Sequence, residues 1–235
     1  MRRLLACTGF VAIVSGFIAT PSASAQQSVT WFIGGFVPRA ADSRDINDVL
    51  LQNLLQNHPM VFEVSDFHNI TVGGEWLVAV GNNLEAGLGV AFYQKSVPTI
   101  NRDLTFANGD EIQSTLKLRT VPINATVRFL PLGRRAAVQP YVGGGVAIIN
   151  WHYSESGDFL ASDGVTIVRG VFEGNGTDVG PLVLGGVRFP LGAVDLGGEL
   201  RYQWAKGALP ADQDFAGSVI DLGGFNYLFT LNIRF

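Results

Sequence analysis

The residues best suited to chemistry form one short run, Trp151-His152-Tyr153-Ser154-Glu155. A His beside a Ser can take the hydroxyl proton and raise its nucleophilicity, and an acid can orient the imidazole. In an extended chain His152 and Ser154 share a face, and Glu155 or Asp158 would have to supply the acid. His58 and His68 lack metal-like partner spacing and read as structural or incidental. No Gly-rich phosphate loop opening a helix, no H-E-x-x-H and no nucleotide fingerprint occurs, so no cofactor or metal is expected.

A second set of candidates is ionic. Glu75, Glu85 and Glu199 fall opposite apolar residues in alternating segments, as do Arg128, Arg188, Arg201 and Arg234. Three acids against four bases nearly cancel. On the inner face of a narrow barrel such groups persist when paired, because removing one partner strands a charge at a cost of about 3–5 kcal/mol. The expectation is a salt-bridged plug that sets strand register; the rival is a proton or ion path.

The segments that would position these residues follow a period of two. Leu84, Ala86, Leu88, Val90 and Phe92 alternate with Glu85, Gly87, Gly89 and Ala91. Val194, Leu196, Leu200, Tyr202 and Trp204 oppose Asp195, Glu199, Arg201 and Gln203. Strands have this period, helices do not. Eight such segments are expected, at about 28–37, 70–81, 84–95, 112–130, 137–153, 179–189, 194–204 and 217–235. Short connections (81–83, 131–136, 190–193) alternate with long ones (38–69, 96–111, 154–178, 205–216), the layout of a barrel with tight turns at one end and loops at the other. Eight strands leave an interior that side chains can fill.

Two parity breaks predict bulges. The apolar face of the fourth segment switches near Thr120 to Pro122, which would turn Lys117 and Arg119 inward or into the rim, and Gly223-Gly224 marks a second break. In the longest loop, Ile46, Val49, Leu50, Leu54 and Leu55 have helical spacing with Ser43 as N-cap, so one short helix is expected over the barrel mouth or on the membrane surface. Trp31, Trp76, Trp151 and Trp204, with Tyr93, Tyr153, Tyr202 and Tyr227, suit an interfacial belt, and some could instead fill the lumen.

Composition agrees. The 235 residues are 47% hydrophobic and 15% charged, yet no stretch in the body of the chain runs to 18 apolar residues, so a helical membrane protein is excluded. Arg2 and Arg3, an apolar run and Ala23-Ser24-Ala25 read as a cleaved signal over 1–25, leaving a single barrel domain over 26–235. Removing Arg2 and Arg3 from the 16 basic residues leaves 14 against 20 acidic, and the only Cys, Cys7, goes with them. Disulfides, thiol catalysis and zinc fingers are thereby excluded, and an acidic chain offers no footprint for nucleic acid. Fifteen of the 20 acids fall on the long connections, where they read as solubilising or as a collector of divalent cations bridging lipopolysaccharide phosphates.

The final segment holds Tyr227, Phe229, Leu231, Ile233 and Phe235 on one face and ends in Phe. With the signal and the eight segments, it resembles the small bacterial outer-membrane β-barrels of the OmpA, OmpX and OmpW type. That resemblance covers the whole mature chain. It implies an all-β, eight-stranded antiparallel transmembrane barrel with long extracellular loops, recognised through its last strand by the barrel-assembly machinery and surrounded by outer-membrane lipids and lipopolysaccharide. The H-x-S run resembles the outer-membrane lipid A deacylases, whose pattern continues with Asn where this chain has Glu155. The expectation is a non-enzymatic protein with a structural role or an extracellular ligand and a largely plugged lumen. The alternatives are a passive, OmpW-like channel for small, hydrophobic solutes and lipid A deacylation at His152 and Ser154.

Overall fold

The alternating segments form strands that pair around a closed ring. The structure, a computed structural model, describes residues 27–160 and 166–235; the expected signal segment, 1–25, lies outside them. The ring strands are β1 (Gln27–Pro38), β2 (Asn69–Val80), β3 (Leu84–Thr105), β4 (Glu111–Phe129), β5 (Gln139–Leu160), β6 (Ile167–Leu191), β7 (Val194–Gln203) and β10 (Gly224–Arg234). Neighbours in sequence pair antiparallel, and β10 closes on β1 from Ser28↔Arg234 to Pro38↔Gly224. Over the height shared by all eight strands, closure leaves no open edge, which a strand in hydrocarbon could not tolerate; above it β3 beyond Tyr93 and β6 before Leu182 run past their β2 and β7 partners. No helix among the described residues is long and apolar enough to cross a membrane, which does not bear on a barrel.

The barrel is taller on one side. β1, β2, β7 and β10 have 10–12 residues, whereas β3 to β6 have 19–25. Much of what reads as long loop in the sequence is therefore strand: the β3–β4 hairpin runs on to Thr105 and the β5–β6 hairpin to Leu160 and Ile167. Polar alternation hides these extensions, because outside an apolar solvent a strand need not carry a greasy outer face.

The first parity break is not a bulge. β3 and β4 stay in one register from Leu84↔Phe129 to Ile100↔Gln113, and β4 and β5 pair without a slip through Pro122. Even-numbered β4 residues face inward throughout: Leu116 and Leu118 are as buried as Asn124 and Arg128, while Arg119 faces out. What changes at Thr120 is the surroundings. Below it the wall is polar inside and apolar outside, with Val90, Ile123 and Val127 exposed; above it the wall is apolar inside and polar outside. The second break is a true interruption. Val219–Asp221 forms β9, which pairs with β8 (Lys206–Ala208) in a two-stranded sheet, and the chain re-enters the barrel at Gly224 with φ 156°, a conformation that favours glycine.

The connection from β1 to β2 folds over the upper bore. Its helix, α1 (Val49–Leu55), is capped by Asp48, whose side chain accepts from the Leu50 and Leu51 N–H groups. Ser43 is not the cap; it ends a 3₁₀ turn, Ala41–Ser43. Asp48 prevails because it also accepts from Arg44 (2.7 Å) and from the Asp221 N–H (2.6 Å), anchoring the helix start to β9. Val49, Leu50, Met60, Val64 and Phe67 bury their side chains against Leu116, Leu118, Tyr153 and Ile149 of the wall. This apolar cluster is the protein's main core.

Candidate functional site

The inner wall below that core carries the ionic residues. Glu75 on β2, Arg128 on β4, and Glu199 and Arg201 on β7 meet in one cluster, each less than 5% exposed. Arg128 Nη2 lies 2.5 Å from Glu75 Oε2 and 2.8 Å from Glu199 Oε2. Arg201 Nη2 lies 2.6 Å from Glu199 Oε1 and 3.2 Å from Glu75 Oε2. Thr126 Oγ1 donates to Glu75 (2.7 Å) and the Tyr141 hydroxyl to Glu199 (3.1 Å). Strands β2, β4 and β7 are not neighbours in the ring, so these contacts cross the bore. Two carboxylates facing two guanidiniums leave no net charge, and the hydrogen bonds from Thr126 and Tyr141 occupy further carboxylate lone pairs.

Nearer the short-turn end, Glu85 on β3 pairs with Arg188 on β6 at 2.7 Å and with Arg134 of the β4–β5 turn at 3.3 Å. Arg234 pairs with Asp195 at 2.5 Å. The Arg128 and Arg188 guanidiniums sit 5.0 and 5.2 Å from the centre of the Tyr141 ring, so one aromatic joins the two ionic levels. Glycines make the room. A Cβ on Gly87 would stand 2.4 Å from Glu75 Oε1, and one on Gly186 would stand 2.5 Å from the Tyr141 hydroxyl. Asp195 and Arg134 complete the pairing and were not singled out in the sequence. Asp195 shares parity with Glu199 and Arg201 and was readable; Arg134 lies in a turn, where no period marks a direction.

His152 and Ser154 sit together on the outer face of β5, both partly exposed, whereas Glu155 points into the barrel and is buried. Glu155 accepts from Asn53 Nδ2 of α1 and from the Tyr153 hydroxyl, both at 2.7 Å. Asp158 pairs loosely with Arg169 at 3.8 Å. Neither acid orients His152. Above the apolar exterior band, Glu155 has its carboxyl pushed up by burial, an effect only partly opposed by the Tyr153 and Asn53 hydrogen bonds. Of the aromatic residues, Trp31, Trp76, Trp204 and Tyr227 face out, while Trp151, Tyr93 and Tyr153 are core residues, with Trp151 Nε1 donating to Asp178 at 2.7 Å. Tyr227, Phe229, Leu231 and Ile233 lie on the outer surface of β10, the strand that closes the ring, and Phe235 stands exposed just beyond its end.

Between the extended hairpins lies an open recess of about 880 Å³, lined among others by Val61, Thr99, Ser114, Ser156 and Arg169. No group of three metal-ligating side chains gathers among the described residues.

The fold is a closed, eight-stranded antiparallel β-barrel, the architecture of small outer-membrane barrels of known structure. The chain is similar to the outer membrane protein OprG from Pseudomonas aeruginosa, at 12% identity and a TM-score of 0.52, covering 90% of this chain and 96% of that one. It also matches Neisserial surface protein A (14% identity, TM-score 0.47, 91% and 99% covered) and the N-terminal β-barrel domain of Pseudomonas aeruginosa OprF (11%, 0.45, 91% and 100%). At such identities the likeness is one of fold. No family model and no curated protein matches the sequence.

Glu75→Ala strands two buried guanidiniums and should lower stability by about 3–5 kcal/mol, read from the urea midpoint of unfolding in lipid vesicles, whereas Ser154→Ala on the partly exposed outer face should shift it by less than about 0.5 kcal/mol. Because the Glu155 pKa is raised in the folded state, its contribution is full below the ordinary carboxylate range and is lost as pH rises through the elevated value. The protection factors of the α1 amides, corrected for the intrinsic pH dependence of exchange, should therefore rise on acidification, and Glu155→Gln should abolish that rise.

Proposed function

We propose that this protein is an integral outer-membrane barrel with a closed bore, without enzymatic activity, acting as a structural element that contacts ligands at the cell surface. Membrane placement is supported by the exterior, where Trp31, Ile33, Val72, Leu88, Ile123 and Phe229 stand exposed around a ring with no free edge at that height. Closure of the bore rests on one observation: Glu75, Arg128, Glu199 and Arg201 join strands across the lumen, beneath an apolar cap that includes the fully buried Val49 and Leu50. An ion crossing this path would have to displace both layers. The extracellular recess supports a ligand-contacting role, since it is open and mixes Thr, Ser and Arg with Val and Ile side chains.

The non-enzymatic reading is supported by the separation of the possible triad across the wall. His152 and Ser154 face outward, and Glu155 is committed to α1 on the other side.

In planar bilayers the purified protein should give no steady, discrete conductance; open channels would overturn the closed bore. Mass spectra of lipid A from cells with and without the protein should show the same acylation, and a shortened species present only with the protein would establish hydrolysis.

A further inference from the structure

Outside the bore, the outer wall of β3 to β6 carries an arrangement that the closed-barrel reading does not use. Its outward residues fall into level rows set by strand register. The row Val90, Ile123, Ile148 and Val179 is wholly apolar and exposed. Two rows higher stand Gln94, Arg119, His152 and Asn175, and above them Ser96, Lys117, Ser154 and Glu173. The change from hydrocarbon-like to hydrogen-bonding side chains takes place within two residue pairs on each strand.

Arg119 is the direct cross-strand partner of His152, and Lys117 that of Ser154. The four side chains thus occupy a square of adjacent positions, with strands about 4.8 Å apart. Among the described residues neither Lys117 nor Arg119 has a carboxylate partner, whereas nearby cations do: Arg169 pairs with Asp158 and Lys206 with Asp45. The acid at the same level, Glu173, stands one strand beyond Ser154. On a chain of net charge −4, two unpaired cations side by side at this height are a local reversal of sign.

We infer that Lys117, Arg119, His152 and Ser154 form a docking site for the phosphate of an outer-leaflet glycolipid. The inference rests on the membrane placement proposed above. The wholly apolar row two pairs below the square, with Phe92 and Val121 leading down to it, would receive the acyl chains, while Arg119 and Lys117 supply charge-assisted hydrogen bonds to the phosphate and His152 and Ser154 add further ones. Charge and position select the occupant: a phosphorylated lipid presents an anion at the boundary between hydrocarbon and water, where these cations are held. The H-x-S pair then serves recognition and needs no orienting acid, which agrees with the inward course of Glu155.

The test uses the full-length mature protein in nanodiscs, with native mass spectrometry of bound diphosphorylated lipid A, its dephosphorylated form and phosphatidylglycerol. The phosphorylated glycolipid should be retained at least about fivefold better than the other two, with retention falling as ionic strength rises. Lys117→Gln with Arg119→Gln should remove that preference, while Arg102→Gln on the distant β3–β4 hairpin should keep it. Heat-modifiable gel migration of each variant reports that the barrel is folded. Equal retention by the folded double variant, or equal binding of the dephosphorylated lipid, overturns the site, and a preference for phosphatidylglycerol assigns it to a different lipid. A wild-type chain that does not insert into bilayers overturns the membrane reading itself, an outcome distinct from an inserted barrel without phosphate preference.

Discussion

Pairing of β10 with β1 is the constraint on which everything else depends. Once the first and last ring strands share hydrogen bonds, each strand has two neighbours, and every side chain is sorted to the inside or the outside by parity alone. An enclosed interior of eight strands is narrow, so a charge placed there has little water to fall back on. Its partner must come from another inward position. The cluster of Glu75, Arg128, Glu199 and Arg201 is therefore a consequence of closure, and glycines such as Gly87 supply the space that long side chains need.

The same ring obeys two opposite polarity rules at different heights. Where its exterior is apolar, its interior is ionic; where its exterior turns to Gln, Arg, His and Asn, its interior becomes an ordinary hydrophobic core closed by α1 and its flanking chain. The strands run through the change without altering their register. With the membrane placement proposed above, the solvent outside the wall, rather than any feature of the backbone, determines which face is greasy.

That inversion explains which parts were legible in advance. Lower strand halves, with greasy exteriors, were readable by alternation, and so were the inward positions of Glu199 and Arg201 and the outward face ending at Phe235. The upper halves of β3 to β6 were not, because a polar exterior over an apolar interior flips the pattern. The flip near Thr120 predicts a bulge that the continuous pairing with β5 excludes. Similarly, the helix was evident from the spacing of Val49, Leu50 and Leu54, but its start was not: Ser43 and Asp48 are both competent caps, and Asp48 is selected by contacts to Arg44 and Asp221, the latter 173 residues away in the chain.

The sequence by itself determined the period of two, the inward parity of Glu75, Glu85, Arg128, Arg188, Glu199 and Arg201 and the number of strands in the ring, because these depend only on local order along the chain. Tertiary structure alone decided which acid meets which base, that Glu155 turns from a candidate catalytic acid into the anchor of α1, and that Lys117 and Arg119 face outward beside His152. Those outcomes need the relative height and separation of strands far apart in sequence. Distances of that kind exist only after the ring has closed.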